Sequence, residues 1–529
     1  MINKRFFGAV LLSLSVVAAA CGGSGDDDAG GGGETATLDS NVKSEVANQL
    51  GGATGSTTET TAATEDTVAL PTSPEEIESF AAAERQKVID RIKENGWGVD
   101  EATNTLKGPD GFTVDLNACP QGWSNVEGIT DTEIKIGVHT ALSGTLADYG
   151  NMAKAWQTYV DKVNAEGGIE DVTGKKRKIT LVVKDDGYDA TRAIPLVDEL
   201  LDSDKTFLIF GGGSALIMRT YDKVNQRCVP HPMVWTGHPA WGDPVNHPWT
   251  MGSILNYFTE AILWGSYIEQ TMPKGTKVGA VVINNDFGAA YTAGFQAFMA
   301  QSDHDISFEF EKFEPAAPTI KNEMTTVASK DPDVFIAMTA GITCTQAIVE
   351  AAENGLTTSA DQLWMPSVCK PLSFVGEQVV GEASDGWLIA GGAVMDINDP
   401  TMAEEPGIKF ARDLLTDAGI DPKLSSSFSA GFYLGWPIIE MLRIASQLDG
   451  GLTRANYLLA MRTMDMTSPF LLPGVRMQTS GNTDAFVIEG SEIGRFSAEK
   501  QTWIQEGDII DLGGDTAPCA WDQSIANCK

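Results

Sequence analysis

The run Glu133-Ile134-Lys135-Ile136-Gly137-Val138-His139-Thr140-Ala141-Leu142-Ser143-Gly144 decides the fold. Ile134 to Val138 reads as a short strand and His139 to Gly144 as the loop leaving it. Beyond the loop, Met152, Trp156, Tyr159, Val160 and Val163 recur at helical spacing until Gly167-Gly168 stops the pattern. The alternation continues. Ile179 to Lys184 is a second strand with Asp185-Asp186 at its carboxyl end, and Thr191 to Leu201 is a helix. Phe207 to Phe210 is a third strand, followed by Gly211-Gly212-Gly213-Ser214 and another helix, and Met233 to Trp235 is a fourth. Strands alternating with helices of about 10–15 residues predict a parallel sheet covered on both faces.

The same pattern restarts downstream. Val278 to Ile283 is a strand with the exit loop Asn284 to Gly288, and 289–301 is a helix. Strands at Val334–Met338, Leu363–Met365 and Gly386–Ala390 follow, separated by a helix through Ala347, Ile348 and Ala351. Helices near 403–418, 428–447 and 453–463 precede a strand pair near 474–479 and 484–490. The prediction is an α/β protein of two doubly wound parallel-sheet lobes with a hinge and an interlobe cleft. Residues 128–254 with 391–477 form one lobe, 255–390 with 478–510 the other, and 511–529 a cysteine-containing tail. Ser73-Pro74-Glu75-Glu76 opens a helix carrying Ile77, Phe80, Val88 and Ile92, which makes 75–127 an N-terminal helical extension.

The chain has 529 residues, 42% of them apolar, and a formal net charge of −35. That balance suits a globular protein of several domains and disfavours nucleic acid and anionic lipid surfaces, which need a basic footprint. Lys4 and Arg5 followed by the apolar run Phe6–Ala20 read as a signal peptide over 1–20. Residues 22–74 contain ten Gly, ten Thr, nine acids, one Lys and no aromatic residue. Such a stretch buries too little apolar surface to offset its conformational entropy, so 21–74 is expected to be a disordered acidic tether.

Ala18-Ala19-Ala20-Cys21 resembles the lipobox of bacterial lipoproteins, which implies cleavage before Cys21 and a diacylglyceryl anchor on its thiol. With two or three acyl chains the protein would stay lipid-anchored on the bacterial membrane, outside the cytoplasm. The run Gly128-Ile129-Thr130-Asp131-Thr132-Glu133-Ile134-Lys135-Ile136-Gly137 carries a second resemblance, together with Leu142-Ser143-Gly144, Tyr149-Gly150, Asn164-Ala165-Glu166-Gly167-Gly168, Asp185-Asp186 and Asp286-Phe287-Gly288. In this order they resemble type I periplasmic solute-binding proteins of the branched-chain amino acid and amide class. The resemblance covers about 128–505. It implies a non-catalytic monomeric receptor without a cofactor, which binds a small solute between its lobes and delivers it to the permease subunits of an ABC importer.

In open α/β sheets, ligands bind beyond the carboxyl ends of the strands. By resemblance and position, the candidate residues in the first lobe are Ser143, Tyr149, Gly213, Ser214, Thr236 and Gly237. In the second lobe they are Phe287, Ala340, Gly341 and Ser367. The Gly211–Ser214 turn offers backbone N–H groups and a hydroxyl to an anionic or accepting group. Ala340-Gly341 stands where the family often has an aromatic, which predicts a roomier pocket. The loop Pro366-Ser367-Val368-Cys369 lacks the Glu that amino acid binders of the family use for the ligand ammonium. A buried ammonium without an anion is costly, so the reading favours a carboxylate, amide or other polar organic solute over an α-amino acid.

Beside Cys21, six cysteines remain, and an exported chain permits three disulfides in fifteen connectivities. Cys344 and Cys369 both follow second-lobe strands, Cys519 and Cys528 lie nine apart in the tail, and Cys119 is left with Cys228. Neither a CxxC pair nor a Gly-x-Ser-x-Gly motif occurs, and the five His have no metal-ligand spacing, so neither a metal site nor a catalytic one is expected. The alternative to uptake is a ligand-sensing protein that signals through a separate partner.

Overall fold

The computed structural model describes residues 40–52, 69–525 and 527–528. The expected signal peptide, Cys21 and most of the tether lie outside the described residues. The described ones belong to a single unit with two lobes.

In the first lobe, Glu133–Thr140 is the central strand, running parallel to Lys176–Asp185 on one side and Leu208–Gly211 on the other. A bridge from Gly212 to Trp235 extends the sheet to His231–Val234, itself parallel to Thr250–Gly252. Ile134, Ile136 and Val138 on one face and Gly137 and His139 on the other are buried, as expected of a strand covered on both faces. Helix Asn151–Ala165 packs on one face, backed by the long helix Phe428–Ser446, which is buried almost throughout. Two glycines permit that close approach. A Cβ at Gly431 would lie 2.4 Å from the Met152 carbonyl, and one at Gly435 would lie 2.4 Å from the Trp156 ring.

The N-terminal extension is built into this lobe. Helix Ile77–Glu94 buries Phe80, Ala81, Val88 and Ile92. Its Arg85 pairs with the fully buried Glu440, and Arg443 donates to Glu78 at 2.7 Å. A three-stranded antiparallel meander follows, Gly98–Asp100, Thr105–Lys107 and Thr113–Asp115, so the extension is not purely helical. The disulfide Cys119–Cys228 ties it to the lobe.

The second lobe is a seven-stranded sheet. Five strands are parallel, in the spatial order Ser307–Phe313, Lys277–Ile283, Val334–Met338, Gln362–Met365 and Leu388–Ala390. Gly490–Ser497 and Thr502–Asp511 then add an antiparallel hairpin at the edge. That hairpin replaces the strand pair expected at 474–479 and 484–490. In that region only Met477–Gln478 is a strand, paired with Asp465–Met466. Val487 and Ile488 are buried in the first lobe's core, so the final crossing falls near Glu489 rather than at 478. The other crossings lie near Ser253–Asn256 and Gly391–Gly392.

Part of the expected tether is ordered. Ser40–Gly52 is a helix whose Val42 and Val46 are buried in the second lobe's core. Lys43 donates to the Gln301 carbonyl at 2.8 Å, and Gln49 exchanges hydrogen bonds with the Asp511 backbone. Two apolar residues one turn apart supply the face that composition alone concealed.

Cys344 is joined to Cys369 and Cys519 to Cys528. The tail lies against both lobes. Cys519 N donates to the Gly242 carbonyl, and Trp521 packs on His238 and Phe258. Among the described residues no helix is long and apolar enough to cross a membrane, and no group of three or more His, Cys, Asp or Glu could hold a metal ion.

Candidate ligand-binding site

The carboxyl ends of both sheets face one another across a cavity of about 50 Å³. Tyr149, Tyr188, Gly213 and Trp235 line it from the first lobe, and Phe287 and Ala340 from the second. The first-lobe wall rests on a buried pair: His139 Nδ1 lies 2.9 Å from Asp186 Oδ2. A Cβ at Gly211 would lie 2.0 Å from His139 Nε2, so only glycine fits over that ring. Asp186 Oδ1 accepts from Tyr188 N at 2.8 Å. The Tyr188 ring in turn fills the space where a Cβ of Gly213 would be, at 2.4 Å, and Gly213 has φ +89°. The glycine run therefore seats two rings of its own lobe besides exposing Gly212 and Gly213 to the cavity.

Behind this wall, Ser214 Oγ and Thr236 Oγ1 lie 2.7 Å apart, both buried, and Gly237 accepts from Tyr257 N at 2.8 Å. Ser214, Thr236 and Gly237 thus form the backing of the wall. Ser143 is elsewhere: it is exposed, donates to Asp185 Oδ2 at 2.7 Å, and lines neither this cavity nor its neighbour.

The lobes meet at Tyr149. Its hydroxyl donates to the Val368 carbonyl at 2.8 Å and accepts from Gly341 N at 2.9 Å, both in the second lobe. Burial pushes the Tyr149 hydroxyl far above its ordinary range, so it remains a donor at all physiological pH. Ile342 N donates to the Thr145 carbonyl at 3.2 Å. Asp148 accepts from Ser373 at 2.9 Å and Ser427 at 2.6 Å. A Cβ at Gly341, where φ is +63°, would lie 2.9 Å from Leu146 and 3.0 Å from the Thr145 carbonyl. At Gly341 the absence of an aromatic therefore opens no space, whereas Ala340 lines the cavity. Loop 145–146 of the first lobe fills the place beside Gly341.

The second-lobe wall is aromatic. Phe287 lies against Tyr257 and Tyr291, and Tyr291 stacks on Trp264. Under the wall is a carboxylate that the sequence did not advertise. Glu260, fully buried on helix Tyr257–Thr271, accepts from Ser367 N at 2.6 Å, Ser367 Oγ at 3.0 Å and Tyr291 OH at 2.6 Å. Burial pushes its pKa up to about 8, against the opposing pull of these donors. The loop without a Glu thus has one behind it, and Ser367 covers it. Ser367 itself lines a second cavity on the hinge side, which shares Trp235 and Val368 with the first.

The sequence profile described as periplasmic binding protein matches residues 133–490. Among curated protein sequences none matches. The fold resembles that of a branched-chain amino acid ABC transporter protein from Thermus thermophilus with bound valine, with TM-score 0.64, 14% identity, and coverage of 73% of this chain and 98% of that one. It resembles a fatty acid ABC transporter substrate-binding protein from Thermomonospora curvata, with TM-score 0.61, 18% identity, and coverage of 75% and 98%. It also resembles a solute-binding protein from Rhodopseudomonas palustris BisB5 in complex with 3,4-dihydroxybenzoic acid, with TM-score 0.59, 19% identity, and coverage of 73% and 100%. With the profile spanning more than half of the chain, over two lobes closed on one cleft, the protein belongs to the periplasmic binding protein family.

Proposed function

We propose that the protein is an extracytoplasmic receptor, anchored by lipid at Cys21, that captures a small polar organic solute between its lobes and hands it to an ABC importer. The observation that carries the reading is the closure at Tyr149, whose one hydroxyl joins both lobes beside a cavity lined by both. A solute held there would favour the closed form that a permease recognises, because binding shifts the population toward the state it fits. The cleft cavity is lined by no acidic residue, and Glu260 has three donors of its own. This supports a carboxylate, amide or hydroxylated solute rather than one with an obligatory ammonium.

The test is native mass spectrometry of protein purified without added ligand, followed by calorimetry of the released solute. A retained small organic molecule that binds with 1:1 stoichiometry supports the reading. Protein that neither retains nor binds any such solute overturns it. Membrane fractionation of Cys21→Ser checks the anchor, and unchanged membrane retention would remove that part.

A further inference from the structure

The hinge-side cavity, about 70 Å³, is mostly apolar, walled by side chains such as Ile254, Pro371, Val394, Met395 and Ala430. Its polar groups are nearly all occupied. Lys370 Nζ donates to the Val394 carbonyl at 2.7 Å and to Glu492, in a pair that is buried on both sides. Asp396 accepts from Leu372 N at 2.9 Å and Asn398 N at 2.8 Å. Ser427 donates to Asp148, and Ser429 accepts from Ile397 N at 2.7 Å.

Tyr433 is the exception. It sits on helix Phe428–Ser446, is 1% exposed, lines this cavity, and has a buried hydroxyl with no hydrogen-bond partner. Buried polar groups are nearly always paired, and an unpaired one calls for an explanation. The cavity adjoins the cleft cavity, and Trp235 and Val368 line both.

Resting on the receptor reading above, we infer that this cavity is a second compartment of the ligand site and that Tyr433 is its specificity-determining residue. The solute reaches past Trp235 and Val368 and presents an oxygen to the Tyr433 hydroxyl. The chemical class follows from the two compartments. One end is a carboxylate or amide in the cleft, a short hydrocarbon segment crosses the apolar walls, and a hydroxyl, carbonyl or ether oxygen forms the far end. An oxygen is specified because the phenol is an uncharged donor, and the nearby charges, Lys370, Glu492 and Asp396, already have partners.

The experiment is calorimetry with matched acids that carry no ammonium and differ only in a hydroxyl: butyrate with 4-hydroxybutyrate, pentanoate with 5-hydroxypentanoate, and the isosteric pair 3-methylbutanoate with 3-hydroxybutanoate. Wild-type protein should prefer the oxygenated member of at least one pair by about tenfold. Tyr433→Phe should reduce that preference to under about twofold while leaving the plain acid's affinity unchanged. Ala430→Leu, which fills the compartment, should weaken both members of the preferred pair. An equal preference in wild type and Tyr433→Phe overturns the inference, as does tighter binding of every plain acid. If no probe binds but native mass spectrometry finds a retained solute with no oxygen beyond its carboxylate or amide, this inference fails and the receptor reading stands. If nothing binds and nothing is retained, both fall.

Discussion

The two walls of the cleft are built from different materials. The first-lobe wall is backbone and small groups: Gly212 and Gly213, with the Ser214–Thr236 hydroxyl pair behind them. The second-lobe wall is rings over a buried acid, with Phe287, Tyr257 and Tyr291 packed together and Glu260 held beneath Ser367. The difference shows where each wall places its polarity. The first presents the backbone of a loop, in which Gly213 N already donates to the Trp235 carbonyl at 3.1 Å. The second keeps its ionisable group one hydrogen bond behind the surface, so a solute would sense it only through Ser367.

The largest effect is expected where the walls touch. Gly341→Leu places a branched side chain within 3.0 Å of Thr145 and Leu146, at a φ that L-residues rarely adopt. The side chain should wedge the lobes open, lowering solute affinity at least about 100-fold and enlarging the radius of gyration in small-angle scattering. Each lobe keeps its own core, so cooperative unfolding should remain. Wild-type affinity in Gly341→Leu would show that this contact is not part of closure.

The acid beneath the second wall has a comparably large effect, on stability rather than on affinity. Glu260 titrates at about 8 when folded, far above an ordinary glutamate near 4.3, so the native state holds a proton that the unfolded chain has lost between those values. The stabilisation is complete below about pH 4.3 and disappears as pH rises through 8. Linkage sets its size at on the order of 5 kcal/mol. Denaturation across pH 4–9 should show this fall in wild type, and Glu260→Gln should flatten it. Asp396 and Asp484 are also raised, to about 6 and about 8, so the test is the difference between the two curves. Parallel curves would mean that Glu260 is ionised in the native protein.

The contrast between the walls also explains what the sequence disclosed. In the first wall Gly213 and Ser214 are chain neighbours at one strand exit, and Thr236 follows the next strand 22 residues on, so each position was legible from the strand pattern. Glu260 and Ser367 are 107 residues apart, and their meeting depends on how helix Tyr257–Thr271 packs under the sheet. No local pattern records that. A buried glutamate within the apolar run Tyr257–Ile268 was the available signal, since an unpaired charge there would be costly. The edge strand Ser307–Phe313 was not among the expected strands, although it alternates polar residues with Phe308 and Phe310 and ends on Phe313. The hairpin Gly490–Asp511 went unread because an antiparallel addition breaks the α/β alternation on which the rest of the reading ran.

A smaller effect distinguishes the first wall's hydroxyls from its backbone. Ser214→Ala removes the partner that Thr236 holds at 2.7 Å and one donor behind the cavity. Folding stability should fall by about 1–3 kcal/mol, the usual cost of leaving a buried polar group unpaired, and solute affinity by less, because Ser214 lines neither cavity. Thr236→Val should act in the same direction, and the double variant should cost less than the sum, because the two hydroxyls share one bond. Full additivity of the affinity losses by calorimetry would mean that each contacts the solute separately.

The smallest effect belongs to the hydroxyl that spans both walls. Tyr149→Phe keeps the ring against Trp235 and Phe374, with centroids at 4.9 and 5.2 Å, and deletes only the two bonds to Val368 and Gly341. In the open form, water can pair the Gly341 N–H and the Val368 carbonyl, so the loss falls on the closed form alone. Two neutral hydrogen bonds contribute roughly 0.5–1.5 kcal/mol each, and water entering the seam recovers part of that. A net cost of about 1 kcal/mol should therefore appear as a several-fold faster solute release in stopped-flow fluorescence, with association little changed. Thermal stability of the solute-free protein should be unaffected. Slower association with unchanged release would place the hydroxyl's role in solute entry rather than in holding the two walls together.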